Sequence, residues 1–186
     1  HGFTSHLHYT HSMRICQLCS FALHLSMCYT LFTLIQEAFM TLSYSPAQPE
    51  DIDQIYLLCK ELIQTYEQLD SIDSPKVLRW IRQKIESSIG EYTVLCADGM
   101  KAGYYHFYRN EDGLLELDDL YLFPPFQNQG IGTAVIQKCC ASTTEPIQLY
   151  VFARNTRAVA LYERLGFQIT ATVHQTRYIM KRYGSV

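Results

Sequence analysis

LLELDDLYLFPPFQNQGIGTA, residues Leu114 to Ala134, is the stretch whose reading decides the fold. Leu115 and Leu117 share one phase of a period-two pattern, and Leu120 and Leu122 share the other. The pattern therefore slips by one across Asp118-Asp119, which is what a β-bulge produces. Pro124 and Pro125 end the ladder, because neither can donate a backbone N–H. Gln127-Asn128-Gln129-Gly130-Ile131-Gly132-Thr133 then turns the chain into a helix carrying Ala134, Val135 and Ile136 and running to about Ala141. Two glycines let the backbone come close to a ligand, and a helix start leaves unpaired N–H groups at the positive end of the dipole. Such a turn suits a phosphate or pyrophosphate.

The same turn excludes two common phosphate binders. A dinucleotide fingerprint needs a third glycine where Val135 stands, and a P-loop needs a lysine that Gly132-Thr133 lacks. Gln-x-x-Gly-x-Gly after a bulged strand remains.

Working outward, Thr41 to Ser45 is a short strand with Leu42 and Tyr44 in phase. Pro49-Glu50-Asp51 opens a helix to about Gln68, whose apolar stripe includes Ile52, Ile55, Cys59, Leu62 and Ile63. Ser74-Pro75 is expected to cap a second helix with Val77, Leu78, Ile81, Ile85 and Ile89 inward, ended by Gly90. Tyr92 to Cys96 and Lys101 to Tyr108 form a hairpin about Asp98-Gly99. Asn110 to Gly113 turns into the bulged strand. Pro146 to Phe152 is a strand, Asn155 to Leu165 a helix closed by Gly166, and Gln168 to Val173 with Arg177 to Tyr183 a closing hairpin. With no internal repeat or low-complexity linker, residues 40–186 read as one α/β domain with a mixed, mostly antiparallel sheet.

Asn155-Thr-Arg-Ala158-Val-Ala-Leu-Tyr162-Glu-Arg-Leu-Gly166-Phe167 supplies a second motif. Taken with Gln127-x-x-Gly130-x-Gly132, and with one strand between the two, the chain resembles the GCN5-related N-acetyltransferase (GNAT) family across residues 40–186. The resemblance implies a flanked sheet with splayed central strands. It implies acetyl-CoA as co-substrate, lying in the wedge between the bulged strand and the strand at 147–152. Main-chain groups of Leu120, Tyr121 and Leu122 are expected to bond the pantetheine arm, and an amide there to polarise the thioester carbonyl. Gln127, Asn128, Gln129, Gly130, Ile131, Gly132 and Thr133 are expected to hold the pyrophosphate. Gln127 stands at the family's first basic position and removes one charge, although a backbone cradle needs no arginine.

Asn155 is expected both to cap its helix and to touch the cofactor. Tyr162 is the expected acid for the leaving thiolate; an ordinary tyrosine, with pKa near 10, stays protonated at neutral pH. Its plain alternative is a packed core tyrosine. Glu116 and Asp118 are the candidate bases for the acceptor amine, two apart on one strand face. Water, or simple attraction of a cation, is the alternative role. Asp119 faces the other way unless the bulge reverses it. The implied function is acetyl transfer to a primary amine by direct attack in a ternary complex, the acids favouring a small cationic amine. A protein N-terminus or lysine, and a non-catalytic acyl-CoA-binding module, are the competing readings. The acceptor is set by the helices at 50–89 and the last hairpin, where His174, Arg177 and Tyr178 face either the acceptor or a homodimer partner.

Composition bounds the rest. The chain has 186 residues, 48% hydrophobic and 18% charged, enough for a core. A net charge of −3 argues against a nucleic-acid partner held through phosphates. Seven scattered cysteines read as free thiols in a reducing cytoplasm. Residues 1–39 differ: they begin at His1 and hold five of the seven histidines. Ile15 to Gln36 carries no charge and, at roughly 22 residues, is long enough to span a bilayer. Its polar residues argue against a membrane helix. Cys16, Cys19, His24 and Cys28 miss zinc-knuckle spacing by one residue, so no metal site is expected. The segment is expected to be a helical extension, with the native start near Met40.

Overall fold

The computed structural model describes residues 40–184. The extension 1–39, with the helix expected there, its bilayer-length stretch and its cysteines, lies outside them. The described elements are β1 (Leu42–Pro46), α1 (Ile52–Tyr66), α2 (Ser74–Ser88), β2 (Tyr92–Ala97), β3 (Met100–Arg109), β4 (Leu115–Leu122), α3 (Ile131–Ala141), β5 (Ile147–Phe152), α4 (Thr156–Arg164), β6 (Gln168–Val173) and β7 (Arg177–Arg182).

The strands form one mixed sheet in the order β1-β2-β3-β4-β5-β7-β6. Each pairing is antiparallel except β4 with β5. That parallel pair is held at Leu115↔Ile147 and Glu116↔Gln148 only. Both strands continue, to Leu122 and Phe152, so they splay into a wedge, as expected. Along β4 the backbone beyond this short ladder has no β5 partner, and a ligand there finds strand edge.

The bulge is present. His106 pairs with Asp118 and Tyr104 with Tyr121, so Tyr105 alone faces Asp119 and Leu120. Asp119 takes a left-handed φ of 50° to absorb the extra residue. Opposite the far end of the bulge, Gly103 pairs with Leu122.

α1 and α2 lay Ile55, Cys59, Ile63, Ile81 and Ile85 against Tyr92, Val94 and Tyr104 of the sheet, which is the main apolar cluster. Burying such side chains contributes roughly 1.5–3 kcal/mol each. α1 is entered through a turn in which Asp51, itself buried, accepts from the Gln48 N–H and from Lys101 and Tyr104. α2 differs from expectation at both ends. Its cap is Asp73, whose carboxylate accepts from the Lys76 N–H, because this side chain reaches back over the first turn while Ser74 and Pro75 are already helical. It ends at Ser88 in a 3-10 turn over Ile89–Glu91, with Gly90 in no left-handed conformation.

The end of α4 explains the second motif. Gly166 has φ 87°, its N–H donates to the Glu163 carbonyl, and the Phe167 N–H donates to the Tyr162 carbonyl. This is a Schellman closure, and its usual apolar clasp is Tyr162 edge-on to the buried Phe167, centroids 5.7 Å apart. Tyr-x-x-x-Gly-Phe is therefore first a helix stop, and that stop fixes where the Tyr162 ring lies.

Candidate active site

Two cavities meet at the wedge. One, of about 610 Å³, is lined by Leu120, Tyr121 and Leu122, by the turn from Gln127 to Thr133 save Gln129, and by α4. The other, of about 830 Å³, lies between α1, α2 and the exposed edge of β4, and includes Glu116 and Asp118. Leu120, Asn155, Ala158 and Tyr162 line both. The structure thus brings together all the residues expected at the site except Gln129. That side chain turns back to the Pro125 carbonyl at 2.6 Å, and the residue lines neither cavity.

The first cavity has the makings of an anion cradle. Gly130 sits at φ 80°, is the cap residue of α3 and brings no side chain to the cap. The opening N–H groups of α3, from Ile131, have no carbonyl one turn back within the helix. Nothing lies within 4 Å of where a Gly130 Cβ would stand, so the backbone is open there. Gln127 is turned to the structure: its amide donates to the Leu122 carbonyl at 2.8 Å, tying the turn to the strand end. Positive charge comes from elsewhere. Arg157 and Arg164 of α4 line the cavity, and Arg157 donates to the Asn128 side chain in the turn. The sequence reading passed over Arg157; its adjacency to Ala158 in the second motif was the only signal. Asn155 caps α4 through the Ala158 N–H at 3.2 Å, as expected, and lies on the boundary between the cavities.

The second cavity is acidic. The bulge reverses Asp119, so Asp118 and Asp119 point the same way. Lys84 of α2 donates to both, at 2.6 and 2.8 Å. Asp119 also accepts from Tyr92 at 2.6 Å and from the Cys59 thiol. Burial and the adjacent Asp119 raise the pKa of Asp118 above the usual carboxylate value. Burial acts the same way on Asp119, but Lys84 and the Tyr92 and Cys59 donors outweigh it and hold its pKa low. Burial would lower the Lys84 pKa, and the two carboxylates reverse that and raise it. Glu116, 8% exposed, accepts from Tyr108 at 3.1 Å, Asn110 at 3.0 Å and Gln148 at 3.4 Å. Arg177 lines the same cavity and is paired with Glu67 at 3.1 Å; His174 and Tyr178 do not line it.

Lys84 is the lone cation between two carboxylates, and removing it is expected to cost about 2–3 kcal/mol, because a buried charge loses its partner. Lys84→Met should melt well below wild type at pH 7. With Lys84 gone, burial and the Asp119 charge act on Asp118 unopposed and hold its carboxyl above its unfolded value, so the penalty exists above that value and fades as pH falls toward 4. Melts at both pH values check this; a deficit independent of pH would mean that lost packing, not charge, is responsible.

Tyr162 has its ring against Phe167 and faces the meeting point of the cavities. Burial, then the Asp118 charge, raise its pKa beyond the ordinary range, so its hydroxyl keeps its proton. Among the described residues no group of three or more His, Cys, Asp or Glu side chains is placed to hold a metal ion, and no helix is long and apolar enough to cross a membrane.

Residues 51–167 match the model of the acetyltransferase (GNAT) family, and the chain belongs to that family. An uncharacterised N-acetyltransferase of Mycobacterium bovis is 31% identical over 96 residues, which is 46% of this chain and 62% of that protein. A mycothiol acetyltransferase of Salinispora arenicola is 31% identical over 85 residues, 28% of its length. Among solved structures, the PaiA N-acetyltransferase of Thermoplasma acidophilum, in complex with coenzyme A, superposes with a TM-score of 0.59 at 19% identity, covering 77% of this chain and 99% of that one. At that identity the likeness concerns the fold.

Proposed function

We propose that this protein transfers the acetyl group of acetyl-CoA to a primary amine, by direct attack while both substrates are bound. The carrying observation is the junction at Leu120, Asn155, Ala158 and Tyr162, where a glycine-opened, arginine-lined groove runs into an acidic cavity. A thioester laid along the groove has its carbonyl at that junction. Open backbone of β4 from Leu120 to Leu122 serves the pantetheine arm, and the α3 start with Arg157 serves the phosphates. Tyr162 gives its proton to the departing thiolate.

A small cationic amine is the favoured acceptor. Lys84 and Arg177, the cations lining the second cavity, are both engaged by carboxylates, while Glu116, Glu111 and Asp112 line it without a cation of their own. The excess negative charge draws an ammonium group in and repels an acidic one. A cytoplasmic setting, read from the free thiols, belongs to the same proposal.

Calorimetry with acetyl-CoA tests the groove. The full chain should bind, and Gly130→Glu should bind at least about tenfold more weakly, because it sets a carboxylate and a strained φ at the cradle. Equal binding by both would remove the cradle from the site. Acetyl transfer to a panel of diamines, arylalkylamines and lysine peptides then separates the acceptor classes. Tight binding with no transfer to any of them would favour an acyl-CoA-binding module.

A further inference from the structure

His106 lies in the middle of β3, is 2% exposed and lines the acidic cavity. Its register partners are Tyr92 on β2 and Asp118 on β4. The imidazole is clamped between two rings, Tyr92 at 4.4 Å and Tyr108 at 4.0 Å, nearly parallel to both. Its Nε2 is 3.1 Å from the Glu91 carboxylate. Its Nδ1 is buried and has no partner, and it is the only such side-chain nitrogen or oxygen among the described residues.

A buried polar atom left unbonded is costly, and native proteins keep few of them without a reason. With Nε2–H donating to Glu91, the ring is neutral and Nδ1 presents a bare lone pair. It needs a donor, and an acceptor ammonium in the cavity is one. The nearby carboxylates are less free. Asp118 already takes the Lys84 ammonium on one oxygen and the Asp119 N–H on the other. Glu116 has its oxygens on Tyr108, Asn110 and Gln148. Both attract a cation, but their lone pairs are largely spoken for.

Resting on the acetyl-transfer reading above, we propose that His106, held by Glu91, is the catalytic base that takes the first proton from the acceptor amine. R–NH3⁺ gives a proton to Nδ1, and the freed nitrogen pair attacks the thioester carbonyl carbon. The C–N bond forms and the C–S bond breaks. The thiolate takes the Tyr162 hydroxyl proton, and the second proton of the attacking nitrogen returns to Tyr162. The imidazolium is stabilised by Glu91 at Nε2, and once the products have left Nδ1 gives the first proton to water in the cavity, which restores the starting tautomer. The arrangement is a base oriented by a third group.

The groups around the ring set its titration. Burial acts first and lowers the pKa; Glu91 on the 3-10 turn raises it, Lys84 of α2 lowers it, and Asp119 of β4 raises it. Tyr92 and Tyr108 cover its faces. The net is a pKa below 6.5, so the ring is neutral and competent at neutral pH.

The test uses the full chain, saturating acetyl-CoA and the amine of the panel that turns over fastest. His106→Gln should lower kcat/KM by about 10²-fold and remove the acid limb of its pH profile, with acetyl-CoA binding unchanged. Glu91→Gln, at an exposed side chain, should lower it about tenfold and shift the limb, and it carries the test if His106→Gln does not fold. Wild-type kcat/KM with the same acid limb in either folded variant overturns the proposal. ¹⁵N NMR of the wild-type ring is read independently of any acceptor. A bare Nδ1 and protonated Nε2 at pH 7.5 support the proposal, and the reverse tautomer overturns it. If no amine in the panel is acetylated while the ring shows the expected tautomer, the acetyl-transfer reading fails, and the base assignment falls with it.

Discussion

Gly103→Ala is expected to cost about 3 kcal/mol or more and to lower the melting temperature by roughly 10 °C. A Cβ at Gly103 would stand 2.0 Å from the Tyr121 carbonyl oxygen and 3.0 Å from the Leu122 Cα. Both are backbone atoms, so no side chain can swing aside. The strands must part where β3 crosses the bulge, and the ladder bonds there are lost. The cause is steric, since Gly103 does not occupy the left-handed region. The displaced backbone is Tyr121–Leu122, part of the groove floor, so acetyl-CoA affinity should fall with stability. Thermal melts by circular dichroism, with calorimetry beside them, check both. A melt within about 2 °C of wild type would show that the strands do not approach this closely.

Tyr162→Phe should leave the fold intact and lower kcat by roughly 10²–10³-fold. The substitution removes one hydroxyl and keeps the ring that clasps Phe167 at the end of α4. Acetyl-CoA affinity should stay within about twofold, because a group used only as the thiolate leaves contributes to the transition state rather than to ground-state binding. Burial and Asp118 keep the hydroxyl protonated, so the wild-type kcat should show no alkaline limb from Tyr162 below about pH 10. Steady-state kinetics and a melt decide the matter. Unchanged kcat would leave Tyr162 as a packing residue of the Schellman closure.

Much of the fold was legible because its signals are local. The leucine phase slip across Asp118-Asp119 marks the bulge, and the backbone there takes φ 50° at Asp119. Gly130 and Gly166 both occupy the left-handed region, one opening α3 and one closing α4. Asp73, Ser74 and Pro75 each suit the start of α2, and only the reach of the Asp73 carboxylate to the Lys76 N–H separates them. Gly103 carried a signal that the sequence reading left unused: a lone glycine inside a strand marks either a bulge or a close backbone approach.

The chemistry of the acidic cavity was less legible. Glu116 and Asp118 stand two apart, so their shared face follows from strand periodicity. Which way Asp119 points depends on the bulge geometry, and what neutralises the pair depends on Lys84, more than thirty residues earlier on another element. Glu91 meets His106 because a 3-10 turn ends beside the centre of β3. Nothing in the run Tyr104-Tyr105-His106-Phe107-Tyr108 distinguishes a clamped, half-bonded imidazole from an ordinary core side chain.

By itself the sequence determined the strand that bulges, the turn that opens α3, the helix that stops at Gly166, and the family they define. Those features rest on backbone preference and periodicity, which a few neighbouring residues specify. The tertiary structure alone decided that β4 and β5 part after two register pairs, that Arg157 stands over the glycine turn, that Lys84 bridges two carboxylates, and that the His106 Nδ1 is left without a partner. These are relations between residues far apart in the chain, set by packing and charge that no local pattern encodes.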